Sequence, residues 1–86
     1  SLKTDVTIMP NPANNYININ LYSGKNVQAQ LIVIDKLGRK VLTQKRNLLK
    51  GDNKIYVALN NYAEGVYAVI IETAGKRVVK QFIISR

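Results

Sequence analysis

The 86-residue chain has neither cysteine nor histidine. The first absence excludes a disulfide framework and any thiolate metal site. The second removes the commonest general base and the commonest neutral metal ligand. Ser1, Ser23 and Ser85 therefore have no imidazole to activate them, and none sits in a recognisable Ser–Lys motif. Carboxylates are few: Asp5, Asp35, Asp52, Glu64 and Glu72 stand singly, with no two in a short motif such as a calcium loop. A glycine-rich phosphate loop is missing as well. No apolar run approaches the ~20 residues of a membrane-spanning helix. Ser1 opens onto charged and polar residues rather than a basic-then-apolar leader, so any such signal is expected on a longer parent protein. These absences predict a chain that is not an enzyme and needs no cofactor and no metal.

Positive charge, by contrast, is abundant. Thirteen Lys and Arg against five Asp and Glu give a formal net charge of +8. Such an excess favours anionic partners, whether nucleic acid, lipid or polysaccharide. Seven of the cations lie between Lys36 and Lys54, and Lys76, Arg77, Lys80 and Arg86 close the chain. A nucleic-acid binder usually interleaves aromatics for base stacking, but only Tyr56 lies near the first cluster. No nucleic-acid partner is expected. The simpler account of both clusters is a solvated surface whose lysines also guard strand edges.

The apolar pattern has a period of two. Ile17, Ile19 and Leu21 alternate with Asn18, Asn20 and Tyr22, and Ile55, Val57 and Leu59 alternate with Tyr56 and Ala58. Turn-forming clusters built on Gly, Asn and Pro recur between such runs. The strands predicted are Asp5 to Met9, Tyr16 to Tyr22, Val27 to Asp35, Lys40 to Arg46, Lys54 to Leu59, Val66 to Thr73 and Arg77 to Ser85. No sustained helical stripe occurs; at most a single turn fits Asn61 to Glu64. The expected fold is all-β: one domain over residues 1–86, a seven-stranded antiparallel immunoglobulin-like β-sandwich with no long helix.

Three segments break the alternation: Leu31 to Ile34, Val66 to Ile71 and Phe82 to Ile84 are continuously apolar. A sandwich strand buries one face, so half of these side chains should point outward. Ile32 or its neighbour, Ile70 and Ile83 are candidates for an exposed apolar patch.

Three stretches together resemble a known family. Pro10-Asn11-Pro12-Ala13 with the strand after it is similar to a "YPNPA" opening. Leu31 through Asp35 and Gly38 to Val41 resembles an "IYDLxGKxV" hairpin. Leu59, then Gly65-Val66-Tyr67, then Lys76 through Lys80 to Phe82-Ile83-Ile84, is similar to the family's ending. This is the type A C-terminal sorting domain of the type IX (Por) secretion system of Gram-negative bacteria. Met9 and Ile34 stand where the family usually has Tyr.

The resemblance implies a C-terminal secretion signal that directs its parent through the type IX translocon across the outer membrane. A sortase would then remove it, with the cargo anchored at the cell surface or released. Implied partners are the outer-membrane translocon, shuttle and sortase proteins, together with an N-terminal cargo domain of the same chain. The implied route is export through the periplasm to the outer membrane, the cell surface or the medium. Candidate recognition residues are Lys76, Lys80, Phe82, Ile84 and Arg86, the three cations because outward charges on a terminal strand do nothing for a core. Pro10, Asn11, Pro12, Asp35, Gly38, Gly65, Val66 and Tyr67 are family positions with structural explanations. Gly65 suits a turn that a Cβ would strain, and Tyr67 resembles a tyrosine corner whose hydroxyl bonds upstream backbone. A last strand without a bonding cap leaves a homodimer open. The alternative is an immunoglobulin-like accessory module of an adhesin or carbohydrate-active enzyme, a spacer or a glycan binder using Tyr22, Tyr56 and Tyr62.

Overall fold

The computed structural model describes residues 6–86, which form seven strands: β1 (Thr7–Met9), β2 (Tyr16–Ser23), β3 (Val27–Asp35), β4 (Lys40–Leu48), β5 (Gly51–Ala58), β6 (Gly65–Thr73) and β7 (Lys76–Ile84). The start predicted for the first strand, Asp5, lies outside the described residues. No helix occurs among them; the connection after β5 is a turn in which the Tyr62 N–H donates to the Leu59 carbonyl at 3.0 Å.

Two antiparallel sheets result, a three-stranded one in the order β1-β2-β5 and a four-stranded one in the order β4-β3-β6-β7. The chain changes sheet between β2 and β3, between β4 and β5, and between β5 and β6. That is the immunoglobulin-like arrangement expected, with β4 paired to β3 rather than placed beside β5. Inward positions alternate along each strand: Ile17, Ile19 and Leu21 on β2 face Leu31 and Val33 on β3, and Val69 and Ile71 on β6, across one continuous core. The period of two thus becomes one buried face per strand.

Strand limits moved where side chains, rather than local turn chemistry, decide them. β4 runs on to Leu48 because Leu48 is core and pairs with Val27. β5 begins at Gly51, three residues earlier than predicted, and pairs with Ser23. The Asn53 side chain accepts from the Leu49 N–H at 3.0 Å and donates to the Leu49 carbonyl at 2.9 Å. Asn53 closes the turn from inside the strand, so only Leu49 and Lys50 bridge β4 and β5.

Two expectations for β7 need correction. The strand does have a bonding cap: Ala13 forms a parallel bridge with Ile84 at its end. The Ala13 N–H donates to the Ile83 carbonyl at 2.7 Å, and the Ser85 N–H donates to the Ala13 carbonyl at 2.8 Å. No local pattern could announce a partner so distant in sequence. Lys80, expected outward, shares its register side with Val78, Phe82 and Ile84 and pairs with the buried Val69. It is exposed nonetheless, because β7 is an edge strand and the facing sheet is one strand narrower. An inward-pointing lysine at such an edge blocks uncontrolled strand pairing.

Candidate functional site

The segments that carry the sequence signature lie far apart along the chain and meet at one end of the sandwich. β7 ends there, opposite the start of β6, with Gly65 paired to Ile84. Three neighbours grip that end.

The first is the Pro10-Asn11-Pro12-Ala13 segment. Beyond the Ala13 bridge, the Asn11 side-chain oxygen accepts a hydrogen bond from the Ile83 N–H at 3.0 Å. The free edge of β7 is therefore occupied at Ile83 and Ser85. Ala13 is only 1% exposed, which fits a small side chain pressed between the two sheets. The second neighbour is the β5–β6 connection. Arg86 donates through Nη1 to the Tyr62 carbonyl and through Nη2 to the Leu59 carbonyl, each at 2.6 Å. A planar guanidinium presents its donors as a fork, so one side chain closes both bonds. Leu59 is itself tied to the opening segment, its N–H donating to the Asn15 carbonyl at 2.8 Å.

The third neighbour is an aromatic row. Tyr67 stacks on Phe82 at 5.7 Å between ring centroids and on Tyr62 at 6.0 Å. Its hydroxyl donates to the Ala63 carbonyl at 2.6 Å, the upstream backbone bond of a tyrosine corner. Gly65, at φ +151°, sits between the two, and a Cβ there would stand 3.9 Å from the Tyr67 ring.

The Asp35–Arg39 turn flanks this end, since Asp35 pairs with Tyr67. One carboxylate oxygen of Asp35 accepts from the N–H groups of Leu37 at 2.9 Å and Arg39 at 3.0 Å, and the other accepts from Arg39 Nε at 2.8 Å. Gly38 supplies the φ of +82° that lets the chain reverse. Loss of water around the Asp35 carboxyl raises its pKa, but the bonds from Arg39 and Leu37 outweigh that and hold it below its ordinary value of 3.8.

The structure thus gathers Pro10, Asn11, Pro12, Asp35, Gly38, Gly65, Val66 and Tyr67 around the end of β7. It does not gather the five recognition candidates. Phe82 and Ile84 are each 1% exposed and belong to the core. Lys76 pairs with Thr73 at the opposite end of the hairpin, roughly 27 Å along the strand from Ile84. Lys80 lies between them on the edge, and Arg86 is engaged with two carbonyls. Residue-type reasoning read Asn11 as a turn former and passed over Ala13, Leu59 and Tyr62 as partners of the chain end. The opening motif contained Asn11 and Ala13; nothing local marked the Leu59 and Tyr62 carbonyls as partners.

A family described as "Secretion system C-terminal sorting domain" matches residues 7–85. The chain belongs to that family. None of the curated proteins matches it. Among solved structures, the sorting domain is similar to dimeric latent PorU from Porphyromonas gingivalis, with a TM-score of 0.72 and 18% identity. The match covers 93% of this chain and 9% of that one, and at this identity it speaks for the fold. The sorting domain is a secretion signal of the type IX system, a family of signals rather than catalysts. It serves export across the outer membrane to the surface or the medium, in conjunction with the secretion machinery.

The glycan-binding alternative is not favoured. Its three tyrosines do not share one surface: Tyr22 and Tyr56 lie on the outer side of the three-stranded sheet, where Tyr56 stacks on Tyr16, while Tyr62 packs against the core at the signature end.

Proposed function

We propose that the chain is the C-terminal domain of a longer exported protein and that the outer-membrane translocon reads the folded end of its terminal strand. The observation behind this reading is the convergence of the opening motif, the Asp35 turn, the Gly65-Val66-Tyr67 segment and Arg86 on the end of β7. Dispersed residues that meet only after folding make a signal that exists only in the folded domain. Phe82 and Ile84 hold the strand in place from the core side. Lys80 and Lys76 present charge along its edge, and Arg86 locks the chain end. The parent crosses the inner membrane by its own leader, the domain is engaged in the periplasm, and a sortase removes it as the cargo is anchored or released.

The test is delivery of a parent protein in a Gram-negative host carrying the type IX system. Deleting residues 76–86 should strand the parent in the periplasm, and Lys80→Glu should reduce the amount reaching the surface. Normal surface delivery of the deleted form would refute the proposal.

A further inference from the structure

The outer side of the four-stranded sheet is apolar along its middle. Ile32 on β3 pairs with Ile70 on β6, which pairs with Val79 on β7, and Val66 pairs with Ile83. Ile34 lies next to this row. Ile32 and Ile70 are not part of the core cluster, yet they are only 4% and 5% exposed, so the exposed patch expected at Ile32, Ile70 and Ile83 holds for Ile83 alone. Val66, Val79 and Ile83 remain 41%, 50% and 45% exposed. Outward sandwich positions are ordinarily polar, and exposed aliphatic side chains gathered on one side of a small domain, interrupted on β7 by Gln81, mark an interaction surface.

The border of this band is basic. At one end Gln30 pairs with both Lys45 and Glu72, and Glu72 pairs with Arg77. Glu72 is matched by Arg77 at 3.3 Å, which leaves Lys45 as surplus charge. At the other end, a shallow groove lined by Ile34, Lys36, Gly38, Val66, Ala68 and Gln81 opens toward the signature end. Lys40 adjoins it, paired with Ile34. Asp35, the carboxylate of that groove, is matched by Arg39.

We infer that this face docks a protein partner whose contact surface is apolar at its centre and bordered by Asp or Glu. The inference rests on the sorting-domain reading and names the chemistry of its receptor. Charge selects the partner class: a second copy would set one lysine border against another, and each chain already carries +8. Shape argues against a lipid surface, because Ile32 and Ile70 are buried and the exposed Val66, Val79 and Ile83 are short aliphatic side chains on flat strands, without the Trp, Phe and Leu set of a membrane-inserting amphipathic face. A flat aliphatic centre with a charged rim is the anatomy of a protein–protein contact. It also gives the outward residues of β7 a role that the inward Phe82 and Ile84 cannot fill.

The test places a photo-crosslinking amino acid at Val79, or at Tyr56 on the opposite sheet as control. The chain is carried at the end of an exported parent in a type IX host. The expected result is an adduct from Val79 and none from Tyr56, with the captured peptide apolar and flanked by acidic residues. Its yield should fall several-fold when Lys40→Glu and Lys45→Glu are added. Equal adducts from both faces, an adduct to another copy of the chain or to lipid, or a basic captured peptide would overturn the inference. In parallel, Val79→Thr with Ile83→Thr, both outward and compatible with strands, should keep the unfolding midpoint and lose surface delivery. If that variant is delivered normally while deletion of residues 76–86 is not, the docking face is wrong and the secretion signal stands. If the deleted form is delivered too, the secretion reading itself fails.

Discussion

The side chain of Asn11 accepts a hydrogen bond from the backbone N–H of Ile83, a residue 72 positions later in the chain. One amide thereby links the opening of the domain to its final strand and occupies part of an edge that would otherwise offer free backbone groups. The first prediction concerns this contact. Asn11→Ala should cost about 1 kcal/mol of stability, the net worth of one such bond. Asn11→Asp, which keeps the accepting oxygen, should cost less. Denaturant unfolding measures the first difference, and amide exchange at Ile83, faster in Asn11→Ala alone, checks that the effect is local.

Arg86 bonds two carbonyls, those of Leu59 and Tyr62. Both bonds are charge-assisted, though the exposed position weakens them. Arg86→Ala should lower stability by about 1 kcal/mol. Arg86→Lys should recover only part of it, since an ammonium does not present a planar fork. Exchange protection of the turn at residues 59–62 should fall in the same order. Equal stability of all three forms would show that the clamp contributes nothing.

Tyr67→Phe removes the hydroxyl that donates to the Ala63 carbonyl and leaves the stacking on Phe82 and Tyr62 in place. The expected loss is about 1 kcal/mol, with an unchanged fold. Tyr67→Ala, which also empties a core position, should lose roughly 3–5 kcal/mol. The ratio of the two losses, from urea midpoints, separates the tyrosine-corner bond from the packing.

Asp35 gives the domain an acid-sensitive turn. Its folded pKa lies below the ordinary 3.8, so the folded form binds the proton less readily than the unfolded chain. The stabilisation is therefore complete above that value and is lost as pH falls through the folded pKa. Unfolding followed between neutral and strongly acidic pH should show this loss in the native chain. In Asp35→Asn the acid slope should be shallower, with stability lower at neutral pH because the bond to the Arg39 guanidinium is weakened. An identical slope in the two proteins would contradict the role given to the carboxylate.

Much of this protein is written locally. Alternation of Ile, Val and Leu with polar residues sets which side of β2 and β5 faces the core, and Gly38 marks a reversal because its positive φ is open to few other residues. The same local logic predicted an exposed apolar patch at Ile32, Ile70 and Ile83 from the unbroken runs, but of these only Ile83 is open to solvent. The spacing of the opening, middle and closing motifs was enough to point to the family.

Tertiary structure decided what those motifs touch. The pairing of Ala13 with Ile84, the capture of Ile83 by Asn11 and the reach of Arg86 to Leu59 and Tyr62 all join residues that no local pattern connects. Lys80 makes the same point on one strand: it was expected outward, its register side is that of Val78 and Phe82, and only the narrower facing sheet leaves it in water. Period and turn chemistry act over a few residues, whereas sheet order and edge position depend on the whole chain having closed. For that reason the sequence determined the strands and their faces, and the folded sandwich alone determined which surfaces remain for a partner to meet.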